Sequence, residues 1–406
     1  AIGNNALQAQ NFSTTTDTYN IAVGAEAGND ITTGIRNTII GGRAGDALTD
    51  ADFNVAIGTD ALTADTLGSK SIAIGVDALG NQNFTTATDS FNVAVGHSAG
   101  LRVTTGTNNT LIGSLAGDAL TAAFENTAVG ESALGTDTLG RRTVAIGSGA
   151  LQTQNFTTAT NSYNVAVGYD AGALITTGAL NTFVGGLAGD GTDDGNENTG
   201  IGYLALSANC GVGNTAVGSG SGRLVTGTGN TTMGVSSGYE ITSGGNNLIL
   251  GQDAGRASSP GGAISTGDNT ITLGNNSIAT ANIKVDWTVS SDQRDKTDFT
   301  ALDIGLDFVK ALKPVTYKWD ERSDYGDQDA DDWSLSDQTP DGTHKKDWLD
   351  VGFKAQEVEA LEQAAGYNKS NKTNLTVSLS PDGEQYGMKY SKFVPILVKA
   401  IQEQNA

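Results

Sequence analysis

Asn54-Val55-Ala56-Ile57-Gly58 is one copy of a five-residue pattern that recurs through most of this 406-residue chain. Other copies are Asn20-Ile21-Ala22-Val23-Gly24, Asn37-Thr38-Ile39-Ile40-Gly41, Asn126-Thr127-Ala128-Val129-Gly130, Asn164-Val165-Ala166-Val167-Gly168 and Asn247-Leu248-Ile249-Leu250-Gly251. Counted from Gly3, the closing glycines follow at intervals of 21, 17, 17 and 17 residues, and the same series starts again at Gly75. From Gly147 it begins a third time and then drifts to spacings of 16 and 17. A larger unit of 72 residues, Gly3 to Gly75 to Gly147, is therefore written over the smaller one.

A period of 17 is too short for a pair of helices and suits one coil of a parallel β-solenoid. Small and β-branched residues alternate within the pattern, as a short strand with one buried face requires. The glycine marks a tight corner where a Cβ would clash or φ must be positive. The asparagine is expected to stack coil on coil, its amide bonding its neighbours above and below. Ser71 and Thr143 take its place in the fourth coil of each larger unit. No single coil can bury its own face, so only the stack is stable. Sixteen marker glycines at a rise of roughly 4.8 Å would make a rod on the order of 75 Å long. Its core would be thin, and oligomerisation would help to cover the faces left over.

Each 21-residue coil carries an insertion: Gln10-Asn11-Phe12-Ser13-Thr14-Thr15, Gln82-Asn83-Phe84-Thr85-Thr86 and Gln154-Asn155-Phe156-Thr157-Thr158. The insertions bring aromatics at fixed places, Phe12 and Tyr19, Phe84 and Phe91, Phe156 and Tyr163. Aromatics beside Thr and Asn suit contact with a glycan or protein surface; they suit equally well inward packing that holds the longer loop. Asp and Glu sit about one per coil (Asp46, Asp118, Asp190, Glu197), without the paired carboxylates that a glycan-hydrolysing groove needs.

Composition divides the chain near residue 290. Only seven of 55 glycines lie beyond it, against four of five prolines and three of four tryptophans. Net charge is −14 before that point and −8 after it. So acidic a chain disfavours nucleic acid and anionic membrane surfaces as partners. One cysteine, Cys210, and two histidines exclude an intrachain disulfide framework and a zinc cluster. No cofactor is expected. No apolar run is long enough to span a membrane as a helix. The chain opens in mid-repeat and is expected to be part of something longer.

The Asn-x-Ala-(Ile/Val)-Gly-x-x-Ala pattern resembles the head repeats of trimeric autotransporter adhesins over nearly all of residues 1 to 275. That resemblance implies a left-handed parallel β-roll assembled as a homotrimer, although the 17-residue coil is longer than the unit usual in those adhesins.

Beyond Gly274 the repeat decays into Ile283-Lys284-Val285-Asp286-Trp287-Thr288-Val289, whose alternation predicts a connecting strand within 281–290. Ser290-Ser291-Asp292-Gln293-Arg294-Asp295-Lys296 follows, with a serine and a lysine five apart, the minimum for a nucleophile and an amine base. Leu302, Leu306, Phe308, Val309 and Leu312 have helical spacing, ended by Lys313-Pro314. Val315 to Trp319 alternates as a strand, 320–346 is an acidic loop, a second helix ends near Gly366, and a third runs from Ser391 to Gln404. Asp327, Asp329 and Asp331 have the spacing of a calcium loop but lack its glycine and distal glutamate; a solvated acidic loop is the simpler reading. Phe393, Val394, Leu397, Ala400 and Ile401 suit a coiled-coil-like stripe.

These pieces, in order, resemble the auto-cleaving intramolecular chaperone domain of phage tailspikes and fibres. The likeness rests on Ser291-Asp292-Gln293-Arg294-Asp295-Lys296, Leu312 to Tyr317, Gly352-Phe353-Lys354-Ala355-Gln356-Glu357, Tyr386-Gly387 and the closing helix with Ala400-Ile401-Gln402-Glu403. The resemblance implies a small α+β chaperone domain over 291–406, trimeric, that guides folding of the fibre upstream. It implies Ser291 as nucleophile, Lys296 as its base and Ser290-Ser291 as the bond cut once, with no external substrate. Asp295 stands where the family commonly has an apolar residue, so a chaperone that no longer cleaves is the alternative. The expected whole is a mainly β shaft over 1–280 in a virion tail fibre, contacting other tail or baseplate proteins and a host surface glycan or protein. A cellular trimeric adhesin would be expected to close on a membrane β-barrel rather than a helix, and a glycan-degrading tailspike would need the paired carboxylates.

Overall fold

The structure is a computed structural model that describes residues 1–285, 287–326, 333–370, 372–380 and 383–405. Two compact units are present: Ala1–Gln252 with Asp268–Ile271, and Asp253–Gly267 with Thr272–Ala406.

The first unit is a parallel β-solenoid. The three middle residues of each pattern form a strand, as in Val55–Ile57. Successive strands pair parallel and in register, Thr38 opposite Val55 and Val55 opposite Ile72. The sheet has fifteen strands in chain order, ending with Ile271–Leu273. Each middle residue points inward; Ala56, Ala73 and Ala94 are fully buried. The interior balances large against small: Phe183 is fully buried, and a Cβ added at Gly189 or Gly200 would collide with its ring. Corners belong to glycine for a direct reason. Gly41 has φ +138°, which L side chains rarely adopt, and a Cβ there would strike the carbonyl of Gly58 one coil on.

The buried asparagines bond the adjoining coil's backbone more than each other. Asn54 N–H donates to Asn37 Oδ1 at 2.9 Å, and Asn54 Nδ2 donates to the Gly68 carbonyl at 2.9 Å. Amide-to-amide bonds do occur, as from Asn109 Nδ2 to Asn92 Oδ1 at 3.2 Å. The backbone takes precedence because its buried N–H and C=O groups at the corner need partners.

Where Ser71 breaks this column, the insertion repairs it. Gln82 Nε2 donates to Ser71 Oγ at 2.8 Å and to Asp65 Oδ2 at 2.6 Å, while its Oε1 accepts from Asn92 Nδ2 at 2.8 Å. Asp65 Oδ1 accepts from the N–H groups of Gly68 and Phe84, both at 3.0 Å. Gln154, Asp137, Thr143 and Asn164 repeat this network 72 residues later. Burial pushes the carboxyls of Asp65 and Asp137 up from their ordinary values, against the pull of those hydrogen bonds.

The residue before each asparagine, or before Ser71 in its place, is left-handed even where it is large: φ is +52° at Tyr19, +61° at Arg36, +58° at Phe53, +63° at Lys70 and +50° at Phe91. Each such residue costs on the order of 1–2 kcal/mol.

In the second unit, α1 (Leu306–Ala311), α2 (Ala355–Ala364) and α3 (Phe393–Gln404) surround two small antiparallel ladders. Val315–Tyr317 pairs with Asp350–Gly352, and Val377–Leu379 with Tyr386–Met388. Ile304, Phe308, Val358, Val377, Phe393 and Ile396 form the core. Glu362 is buried among donors, accepting from Leu375 N–H at 3.0 Å and Thr376 N–H at 2.6 Å. The expected stripe of the last helix is split between two faces. Phe393, Ile396 and Ala400 are buried, whereas Val394, Leu397, Val398 and Ile401 are 44 to 60% exposed.

Residues 283–289 carry no strand among those described. Ile283, Val285, Trp287 and Val289 are exposed, and alternation without a ladder partner does not make a strand. Asp327, Asp329 and Asp331 lie outside the described residues. Among the described residues no helix is long and apolar enough to cross a membrane.

Candidate functional site

Ser291 and Lys296 are brought together by one tight turn. Gln293–Asp295 forms a single 3-10 turn, and Asp292 caps it by accepting from Arg294 N–H at 2.9 Å. The Arg294 guanidinium closes on the same carboxylate, with Nη2 at 2.6 Å and Nε at 3.1 Å from its two oxygens. These bonds hold the Asp292 carboxyl below the usual carboxylate range. The turn reverses the chain so that the Lys296 side chain returns over Ser291. Its Nζ donates to Ser291 Oγ at 2.5 Å and to the Ser291 carbonyl at 3.1 Å. Asp295 is exposed, as are Ser291 and Lys296.

The geometry therefore supplies a hydroxyl in contact with an amine, next to the Ser290-Ser291 peptide bond. A neutral amine at that distance could take the hydroxyl proton. The clamp between Asp292 and Arg294 escaped the sequence reading, although an Asp before a turn whose second residue can reach back is a capping signal.

Behind the turn, α1 lacks a side-chain cap of its own, since its cap residue is Gly305. Glu403 of α3 supplies one, accepting from Leu306 N–H at 2.7 Å and held by Lys399 at 3.1 Å. That contact ties the last turn of the closing helix to the element following the Ser-Lys turn.

The six insertion aromatics separate by position. Phe84 and Phe156 are only 6 and 7% exposed, so they present no surface to a receptor. Expected as contact residues, they are instead buried, and their backbone N–H groups donate to Asp65 and Asp137. Phe12 is half-buried, and Tyr19, Phe91 and Tyr163 are exposed. Lys70 lies over the Phe91 ring at 5.2 Å and Arg142 over the Tyr163 ring at 5.7 Å. Arg142 also donates to Tyr163 Oη at 2.8 Å. Among the described residues no group of acidic, histidine or cysteine side chains is arranged to hold a metal ion.

Residues 291–367 match the family described as the chaperone of endosialidase, and the match starts at Ser291. No curated protein and no solved structure matches the chain significantly. The chain thus carries a chaperone-of-endosialidase segment directly after a β-solenoid, a combination that fits a tail-fibre or tailspike-like protein.

Proposed function

We propose that the chain is a structural segment of a phage tail fibre serving host attachment, folded as a homotrimer by its C-terminal region, which then cuts itself off before Ser291. The observation that carries the reading is the Lys296–Ser291 contact, located at the first residue of the chaperone match.

Trimerisation is supported by the outer surface of the sheet. Every one of its fifteen strands ends in an outward apolar residue, from Val23, Ile40 and Ile57 through Met233 to Leu273. An apolar column that runs along the whole sheet marks a surface for another protein, and further copies of the same chain offer a matching one. The exposed face of α3, with Val394, Leu397, Val398 and Ile401 at helical spacing, suits the same assembly.

Ser291 Oγ is the nucleophile of the reading. As the neutral Lys296 amine takes its proton, Oγ attacks the Ser290 carbonyl carbon and the C–N bond to Ser291 breaks. The Ser291 nitrogen leaves as an amine, with a proton returned to it, and the acyl group remains as an ester on Oγ. Water then hydrolyses that ester, leaving a carboxylate on Ser290 and a free hydroxyl and amino terminus on Ser291. A lysine serves as base only in its neutral form, which burial favours. Both partners are exposed in the single chain, so further copies must supply that cover. Cleavage is thereby coupled to assembly.

Intact-mass measurement of the purified protein tests this. Wild type should yield fragments of 290 and 116 residues, and Ser291→Ala should stay whole while sedimenting as a trimer. Uncut wild-type chain would overturn the cleavage, and a monomeric Ser291→Ala protein would overturn the assembly.

A further inference from the structure

We infer that the column Tyr19, Arg36, Phe53, Lys70 and Phe91 is a binding strip for an acidic glycan chain lying parallel to the solenoid axis. The inference rests on the attachment reading above and names the class of ligand.

The five residues occupy the same place in five consecutive coils, each just before the buried position of the asparagine column. All five are exposed, Tyr19 by 67%, Phe53 by 44% and Phe91 by 52%. Aromatic rings therefore recur at every second coil, about 9–10 Å apart, which is the length of one disaccharide in an extended glycan. A cation stands between each pair of rings, and the cations are held in place by stacking. The Arg36 guanidinium lies 5.1 Å from the Phe53 centroid and Lys70 Nζ lies 5.2 Å from that of Phe91.

The backbone argues that this column is not there for the fold. All five residues are left-handed, a conformation that favours glycine and asparagine. Later coils place Asn108, Gly213, Gly229 and Asn246 at this position, and elsewhere Glu125, Arg142, Tyr163, Leu180 and Glu197, all with positive φ and the same ladder. The solenoid thus folds without large side chains here, and the coils that carry them do so in spite of the strain. Strain retained at an exposed site points to a surface role. The lysine-to-aromatic step also returns one 72-residue unit later, as Arg142 over Tyr163.

Aromatic faces stack on the C–H faces of sugar rings, and cations between them meet carboxylate, sulfate or phosphate substituents. The five positions of the strip hold two cations and no acid, inside a repeat region of net charge −14. Arg36 makes no ion pair among the described residues. Lys70 pairs with Asp89 at 2.5 Å, an exposed pair of the weak kind for which an anionic ligand can compete.

The full-length protein is applied to an array of acidic glycans (polyuronates, sialylated and sulfated chains) and neutral glycans of matched length. Binding should concentrate on the acidic chains and weaken with added salt. Phe53→Asn and Arg36→Asn should each reduce affinity about tenfold, without loss of the fold because this column already accepts asparagine. Phe53→Tyr should retain binding. Equal binding by the asparagine variants, retention of neutral chains alone, or no retention of any glycan would overturn the strip. Dissociation of the assembly by Phe53→Asn would also overturn it, by placing the strip between copies. Variants that attach to host cells as well as wild type would sink this inference and leave the attachment reading standing. A wild-type protein that binds acidic glycans and no cells would do the reverse.

Discussion

The solenoid and the C-terminal unit keep their polar and apolar groups in opposite places. In the solenoid, asparagines, glutamines and two aspartates are buried and hydrogen-bonded from coil to coil, while Ile, Val and Leu line the outside of the sheet. In the C-terminal unit a compact apolar core is inside, and the buried charge of Glu362 is met by the N–H groups of Leu375 and Thr376 and by the Thr376 hydroxyl. The contrast shows two ways of specifying a fold. A coil gains its register from bonds to the next coil, usually 17 residues along, and has little to hold it before that neighbour arrives. The C-terminal unit collapses on its own core and leaves an apolar surface exposed on α3.

The largest expected effect follows from that dependence. Removing residues 291–406 before folding should leave the solenoid insoluble or monomeric, because nothing then starts the stack in register. Gel filtration of the truncated chain checks it, and a soluble trimer would erase the functional contrast between the regions. Next in size is Phe183→Ala, which opens the largest single void available in the solenoid interior and should cost about 3–5 kcal/mol. Denaturation of the protein expressed at full length measures this, and a small loss would mean that the neighbouring glycines close around the gap. Asn54→Ala leaves the Gly68 carbonyl and the Ser71 N–H without partners and should cost about 1–3 kcal/mol. A negligible change in melting would show that stacking alone sets the register.

The smallest effect concerns pH. Burial raises the folded-state carboxyls of Asp65 and Asp137 above their unfolded values. The stability they contribute is therefore fully present below the unfolded value and is lost as pH rises through the folded one. Acidification from neutral pH should stabilise the wild-type shaft, and Asp65→Asn with Asp137→Asn should flatten that part of the profile. Parallel profiles for the two proteins would assign the dependence to surface charge instead.

Much of the solenoid was readable because its signals are local and repeated. The marker glycines gave the coil length, and the alternation in Val55-Ala56-Ile57 gave the buried face. The repair of Ser71 by Gln82 was not readable, since the two meet across coils at a separation of 11 residues and no short-range pattern links them. Nor could sequence say which insertion aromatic turns inward. Phe84 and Phe91 sit seven apart on one loop, and only the backbone bond from Phe84 to Asp65 decides it. The left-handed column was hidden for another reason: Phe53 and Arg36 are not residue types that announce a positive φ. At the candidate site the Ser-Lys spacing was evident, whereas the alternation of 283–289 misled because a strand needs a partner as well as a pattern.

The repair network sets a rule for how the shaft can change its length in evolution. Because Asp65 and Gln82 recur as Asp137 and Gln154, a coil inserted between a serine or threonine gap and the glutamine that fills it would separate the two. Duplication or deletion of a whole 72-residue block preserves every such pairing. Each such block lengthens the solenoid by four coils, or about 19 Å.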